Sequence, residues 1–294
     1  MFFQRLQMTL DMIKFEHSIF ALPFAMTGAM LAWRNAGFPV EAFGWKLCWI
    51  VAAMVGARSA GMAFNRILDA DIDGRNPRTR MRHIPAGLLS AGFAWGFLIG
   101  MSALFFAASA MLGDLCLKLS PVALGIVMAY SYTKRFTSWS HLVLGFALGI
   151  APAAAWIAVT GALDLRILWL TAAVTFWTAG FDIIYSCQDY AFDNEAGLHS
   201  IPKRLGIAGA LRLSRVLHLA MLVCLVMLLQ SFALGTIGAV GIAMVAGLLV
   251  YEHSIVGPND LSRVNAAFFT VNGYVSVLFF VFWAADVWFG RSGV

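Results

Sequence analysis

Acidic residues are scarce in this chain, 15 in 294, yet seven of them fall in two short clusters. The first holds Asp69, Asp71 and Asp73; the second holds Asp182, Asp189, Asp193 and Glu195. In the first, Asn65, Asp69 and Asp73 recur every fourth residue, so on a helix they share one face with a drift of about 40° per step. In the second, Asp182, Tyr185, Asp189 and Asp193 form a similar stripe. Asp71 points off its stripe and reads as a solvated side chain. Like charges four residues apart repel, and acids near a helix C-terminus oppose its dipole, which argues against plain solvated helix ends. A divalent cation would offset both penalties. Mg²⁺ is hard, takes oxygen ligands, and is commonly held by one or two carboxylates together with substrate phosphates.

The clusters read as copies. Asp69 to Asp189 and Asp73 to Asp193 are both 120 residues apart, and Arg82-His83-Ile84-Pro85 is echoed by His199-Ser200-Ile201-Pro202. A pseudo-repeat over 58–87 and 178–206 would bring two acidic helix ends to face each other across one cavity. Two carboxylate pairs so placed could hold two Mg²⁺ on one diphosphate. The nearby cations suit such a polyanion: Arg75, Arg78, Arg80 and Arg82 after the first cluster, Lys134 and Arg135 after Tyr130-Ser-Tyr132-Thr, and Lys203 and Arg204 after the second. For any one loop cation, setting membrane topology is an equal alternative; Lys134 and Arg135 favour a functional role. Arg58 lies nearly two turns before Asn65 on the same face. A lone arginine at that depth either pairs with Asp69 or awaits an anionic ligand group such as a carboxylate.

The elements that position these residues must lie in lipid. The chain is 61% hydrophobic and 12% charged, with mean hydropathy +0.81. Soluble domains carry about 25% charged residues, so a globule of this size could not be covered by solvated side chains. Nine candidate spans of about 20 residues follow, near 17–35, 46–68, 90–112, 118–133, 141–160, 165–187, 212–232, 236–256 and 264–289. The first is not a signal peptide, because its leading stretch is long, mixed in charge and without a small-residue cleavage pattern. The four cysteines, Cys48, Cys116, Cys187 and Cys224, sit singly in apolar runs and read as buried thiols, with no disulfide or zinc framework.

With the N-terminus inside, fourteen Lys and Arg fall in cytoplasmic segments and five outside, Arg58 being intramembrane. That bias puts the N-terminus in the cytoplasm and the C-terminus outside. It also explains the net charge of +5 without nucleic acid. Both acidic clusters run into or lie in the long inside loops, 69–89 and 188–211, with only Asp182 still within a span, so chemistry is expected on the cytoplasmic face. The reading is a single domain, 1–294, with no obligate protein partner.

Arg58-x6-Asn65-x3-Asp69-x3-Asp73 together with Asp182-x2-Tyr185-x3-Asp189-x3-Asp193 resembles the UbiA superfamily of intramembrane aromatic prenyltransferases. The likeness extends through Lys14-Phe-Glu-His17-Ser-Ile-Phe-Ala-Leu-Pro23-Phe, Tyr130-x3-Lys134-Arg135 and Gly197-Leu-His199-Ser-Ile-Pro202-x-Arg204-Leu-Gly, and so covers nearly the whole chain. It implies an all-α polytopic membrane protein with nine transmembrane helices around a central cavity, capped on the cytoplasmic side and open laterally to lipid. It implies Mg²⁺-dependent transfer of a polyprenyl group from its diphosphate to an aromatic acid, most like 4-hydroxybenzoate in quinone synthesis, in a bacterial cytoplasmic membrane. By that likeness Asn65, Asp69, Asp73, Asp189 and Asp193 would bind the metal–diphosphate, helped by Lys134 and by Arg78 or Arg82. Arg58 would meet the aromatic carboxylate, and Asp182 and Tyr185 would support the second motif.

The segments Lys14–Phe24 and Gly197–Gly206 read most like a bacterial UbiA-like branch. Some of its members serve menaquinone synthesis by the futalosine route, so another carboxylated aromatic is an alternative acceptor. Two rivals come from other classes. A secondary transporter would carry its acids near span centres, in Gly/Pro-broken helices; here they sit at helix ends on one face. A non-catalytic prenyl-diphosphate binder would not need every carboxylate intact. His17 lies in a recurring segment and reads as a structural interface histidine.

Overall fold

The computed structural model describes residues 2–13, 18–38 and 43–290, with side chains from residues 7, 20 and 43 onward in the three stretches. Lys14, His17 and Arg291 lie outside the described residues, as does the Arg5 side chain. The described residues form twelve α-helices: α1 (Phe2–Met12), α2 (Ser18–Asn35), α3 (Phe43–Leu68), α4 (Ala70–Arg75), α5 (Ala91–Leu112), α6 (Asp114–Thr133), α7 (Ser140–Thr160), α8 (Leu168–Ser186), α9 (Tyr190–Glu195), α10 (Ile201–Ser231), α11 (Thr236–Ser254) and α12 (Asn272–Phe289). Among the described residues there is no named strand. Eight helical segments among the described residues are long and apolar enough to cross a membrane. The ninth expected span, 17–35, corresponds to α2, which has 18 residues. In lipid only closed backbone hydrogen bonding is viable, and helices supply it. Outward faces carry residues such as Ile99, Val122, Val223 and Val250 that are more than half exposed, as lipid contact requires.

The nine long helices close a circuit of neighbours in the order α2, α3, α5, α6, α7, α8, α10, α11, α12 and back to α2. In addition, α2 packs directly on α7, and this contact divides the interior. On the α8–α12 side, Phe20, Phe24, Trp177, Phe181, Phe279 and Trp283 fill the space with interlocking rings. On the α3–α7 side an apolar cavity of about 390 Å³ remains. Small residues permit the close approaches: a Cβ on Gly28 would strike the Pro152 carbonyl of α7, and one on Gly145 would strike the Thr175 carbonyl of α8.

Three boundaries differ from the sequence reading. The inside segments are not extended loops, because α4, α9 and the start of α10 occupy much of them. Helix α10 begins eleven residues before the expected 212, at a Ser-x-Pro start where the Ser200 hydroxyl accepts from Lys203 N (3.3 Å). A kink at Gly206, φ 69°, then turns it into the bundle. The N-terminal stretch, given no element by its sequence, forms α1, whose Met12 carbonyl accepts from the buried Arg66 Nε (3.2 Å). All four cysteines are free, but only Cys187 and Cys224 are buried; Cys48 is exposed and Cys116 is half-buried on the wall of the apolar cavity.

Candidate active site

Each acidic stripe straddles a helix break rather than riding one continuous helix. Helix α3 stops at Leu68, and Asp69 has φ −93°, ψ 2° before six-residue α4 resumes. Helix α8 stops at Ser186, a 3₁₀ turn covers Cys187–Asp189, and Asp189 has φ −95°, ψ 6° before six-residue α9. Both aspartates thus occupy the same sparsely used bridge conformation. Each is followed four residues later by an aspartate, Asp73 or Asp193, that is buried on the short helix. No glycine or proline marks either break, so a regular helical stripe was the natural expectation. Asp71 is exposed, as its off-stripe position implied.

The two motifs meet at one end of the bundle around a polar chamber of about 260 Å³. Asn65, Asp69, Asp73, Arg78, Arg82, Tyr130, Lys134, Asp182, Asp189 and Asp193 all line it. Within the first motif Asn65 Nδ2 donates to Asp69 Oδ2 (2.9 Å), and Lys134 Nζ donates to the same oxygen (2.6 Å). Arg82 Nη1 donates to both oxygens of Asp73 (2.7 and 2.8 Å). The motifs are joined across the chamber: Arg78 donates through Nε to Asp189 Oδ1 (2.8 Å), through Nη2 to Asp189 Oδ2, and through Nη1 to the Tyr185 hydroxyl (3.1 Å). Burial alone would lower the Arg78 guanidinium, but the Asp189 carboxylate and then Tyr185 outweigh it and hold it above its ordinary value. Both arginines proposed as alternatives therefore reach the site, on different motifs.

Three predicted residues stand apart from the chamber wall. Tyr185 reaches it through Arg78 and packs its ring on Phe268, centroids 4.2 Å apart. Arg135 is exposed, donates to the Leu68 carbonyl (2.7 Å) and stays 3.7 Å from Asp69 Oδ1, so it holds the α3 terminus rather than facing the chamber. Arg58 lines the apolar cavity, its Nε buried without a hydrogen-bond partner. It makes no ion pair with Asp69, whose charge is met by Lys134. Tyr130 and Leu144 line both spaces and mark their junction.

Sequence reasoning missed two participants. Asn76 Nδ2 donates to Asp189 Oδ1 (3.1 Å) while its Oδ1 accepts from Arg78 N (2.9 Å), presenting the arginine to the second motif. His141, on α7, places Nδ1 2.6 Å from Asp182 Oδ2, and its Nε2 accepts from Ile201 N (3.4 Å). That contact ties Asp182 to α7 and α10. Both residues act across more than 40 positions of sequence, with no local spacing to betray them.

A divalent cation fits this donor set. Every predicted ligand offers a hard oxygen, and Asp69 Oδ1 is buried with no hydrogen-bond partner, Arg135 at 3.7 Å being too distant.

Residues 21–283 match the UbiA prenyltransferase family. The chain belongs to that family. This UbiA-family protein is 31% identical over 249 residues to a 4-hydroxybenzoate octaprenyltransferase of Sodalis glossinidius (strain morsitans), covering 84% of each chain. It is 31% identical to the enzyme of that name in Vibrio cholerae (strain M66-2), covering 75% of this chain and 77% of that one. Among solved structures, a UbiA homolog from Aeropyrum pernix K1 superposes with TM-score 0.81 at 36% identity, over 91% of this chain and 96% of the other. A UbiA homolog from Archaeoglobus fulgidus bound to GPP and Mg²⁺ shares the fold, TM-score 0.69 at 19% identity, over 95% and 99% of the two chains. A UbiA-family prenyltransferase with many membrane-spanning helices is therefore what the fold and the chamber have to be understood as.

Proposed function

We propose that this UbiA-family enzyme transfers a polyprenyl group from its diphosphate to the ring of 4-hydroxybenzoate in quinone biosynthesis, with Mg²⁺ at the acidic chamber. One observation carries the reading: two hinge aspartates face a single polar chamber that meets, at Tyr130, an apolar cavity lined by a half-buried arginine, Arg58. A charged diphosphate suits the first space and an apolar substrate the second. The names of the curated relatives support the acceptor, and the Mg²⁺-bound structural neighbour supports the metal.

In this reading Asn65, Asp69, Asp73, Asp189 and Asp193 hold the metal–diphosphate, and bound Mg²⁺ would stabilise the charge developing on the leaving group. Lys134, Arg78 and Arg82 lie on the carboxylates and can turn onto the phosphate oxygens once a divalent cation neutralises those carboxylates. The allylic C–O bond breaks with its electrons leaving on diphosphate, a ring carbon ortho to the phenol hydroxyl forms the new C–C bond, and the ring then loses its proton. Arg58 meets the acceptor carboxylate, Tyr130 lies where the two substrates meet, and Asp182 and Tyr185 hold the second motif in position. Arg135 assists only by fixing the end of α3. The matching backbone at Asp69 and Asp189 supports reading 58–87 and 178–206 as a pseudo-repeat within one domain. The Lys/Arg bias supports a cytoplasmic N-terminus and chamber in a bacterial inner membrane.

The test is prenyl transfer by purified membranes given geranyl or longer diphosphate, Mg²⁺ and 4-hydroxybenzoate, beside Asp69→Ala and Asp189→Ala. Prenylated product that vanishes with EDTA and in both variants is expected. Product only with other aromatic acids would overturn the acceptor, and wild type indistinguishable from the variants would overturn the transferase reading.

A further inference from the structure

A second cluster of ligating side chains lies between α10 and α11, outside the acidic chamber. His218, Glu252 and His253 bring one donor atom each to within 4.8 Å of one another. His218 and Glu252 are almost wholly buried, at 2% and 0% exposure. An isolated carboxylate is costly there, and its presence asks for a partner.

The hydrogen bonds around the cluster turn a lone pair of His218 and a free oxygen of Glu252 inward, beside the His253 ring. His218 Nε2 lies 3.3 Å from the Trp177 carbonyl. A carbonyl only accepts, so that nitrogen carries the hydrogen and Nδ1 turns its lone pair inward. Glu252 Oε1 accepts from Asn272 Nδ2 (2.8 Å), and Asn272 Oδ1 in turn accepts from Trp177 Nε1 (2.7 Å). The other carboxylate oxygen, Glu252 Oε2, is buried with no hydrogen-bond partner and stands 3.6 Å from His218 Nδ1. His253 Nε2 lies 3.0 Å from that same Nδ1 and donates to it; a cation bound there would take the place of that proton, which the His253 ring would carry on Nδ1 instead. Donors about 2.05 Å from a tetrahedral zinc are separated by about 3.3 Å, and the two measured separations straddle that value. Outer hydrogen bonds that fix a ligating imidazole and carboxylate are the usual companions of such sites. The ring also has a built seat: a Cβ on Gly180 of α8 would collide with the His218 imidazole.

We propose that His218, His253 and Glu252 form a binding site for a divalent transition-metal ion of the zinc class, distinct from the Mg²⁺ chamber. Two imidazoles and one carboxylate suit zinc and its neighbours, not magnesium. The ion would join α10 to α11 directly and, through Asn272 and Trp177, to α12 and α8. Its role is structural, since the Asp69 and Asp189 chemistry lies on other elements.

The experiment uses the full-length protein, purified in detergent, stripped with chelator and returned to excess Mg²⁺ so that the acidic chamber stays supplied. It is then titrated with Co²⁺ and, separately, assayed for Zn²⁺ by elemental analysis. The expected result is the visible absorption of low-symmetry Co²⁺ saturating at one ion per chain. It persists in Asp69→Ala and Asp189→Ala and is lost in His253→Ala and Glu252→Gln. Asn272→Ala should weaken binding about 10- to 100-fold. Glu252→Gln keeps an oxygen for Asn272 and so should preserve the fold, checked by monodisperse elution and residual prenyl transfer. If a variant does not fold, the wild type and the two Asp→Ala proteins still decide. Wild type without stoichiometric Co²⁺ absorption, or absorption that disappears with Asp69→Ala, overturns the site and leaves the cluster a hydrogen-bonded knot sharing a proton.

Discussion

Arg58 offers the sharpest test of how the site reads its acceptor. It is the cation on the apolar side of the junction, and its Nε has no hydrogen-bond partner. Arg58→Met keeps the apolar stem and removes the charge. Two unit charges about 4 Å apart at an effective dielectric near 20 attract by about 4 kcal/mol. Desolvating the acceptor carboxylate offsets part of that, leaving about 2–4 kcal/mol, within the range for truncating one member of a buried pair. In kcat/KM that is a roughly 30- to 1,000-fold loss with 4-hydroxybenzoate. The assay compares wild type and variant on 4-hydroxybenzoate and on 4-hydroxybenzamide, which lacks the charge, and takes the coupling from the four values. The variant should be hardly worse than wild type on the amide, its KM for prenyl diphosphate should be unchanged, and Arg58→Lys should restore part of the loss. An equal loss on both acceptors would refute the reasoning and reduce Arg58 to a packing or folding role.

Lys134 neutralises Asp69 at 2.6 Å, so Lys134→Met should tighten Mn²⁺ or Mg²⁺ binding in the absence of diphosphate while weakening the KM for prenyl diphosphate; calorimetry and steady-state kinetics read the two directions, and weaker metal binding would contradict the exchange of partners. Arg78→Ala leaves Asp189 with Asn76 alone and should lower kcat/KM for prenyl diphosphate at least 10-fold, about 1.4 kcal/mol, with a smaller change in acceptor KM. Asp286, 2% exposed, accepts from Gly235 N (2.9 Å) and Gly238 N (2.6 Å); Asp286→Ala should cost about 2–4 kcal/mol through two unsatisfied donors and lower the melting temperature, with Asp286→Asn intermediate. Gly145→Ala should force α7 off α8 and destabilise by about 1–3 kcal/mol, seen as an earlier thermal transition.

The spans were legible because lipid imposes one simple rule on composition, and the two acidic motifs were legible because charge is rare enough there to stand out. The breaks at Asp69 and Asp189 were not. Neither carries a helix breaker, and both are held by tertiary partners, Lys134 and Arg78, that local sequence does not connect to them. Arg66 shows the same limit from the other side. Nothing in its neighbours along the chain marks it, yet it is buried in the last turn of α3 with its Nε on the Met12 carbonyl of the N-terminal helix. His141 and Asn76 were invisible because their meaning lies wholly in what they reach. The early start of α10 could have been read, since Ser200 followed by Pro202 is a helix-opening pattern.

The Asp286 cap also bears on the order in which the molecule can be completed. Chains are made from the N-terminus, so α11 leaves the ribosome before the residue that satisfies its first backbone donors. Until α12 follows, the start of α11 must borrow water or lipid headgroups for Gly235 and Gly238. The last long helix therefore closes the circuit against α2 and finishes its predecessor in the same step. A chain cut short before Asp286 would be left with a helix end that surveillance of unfinished membrane proteins could recognise.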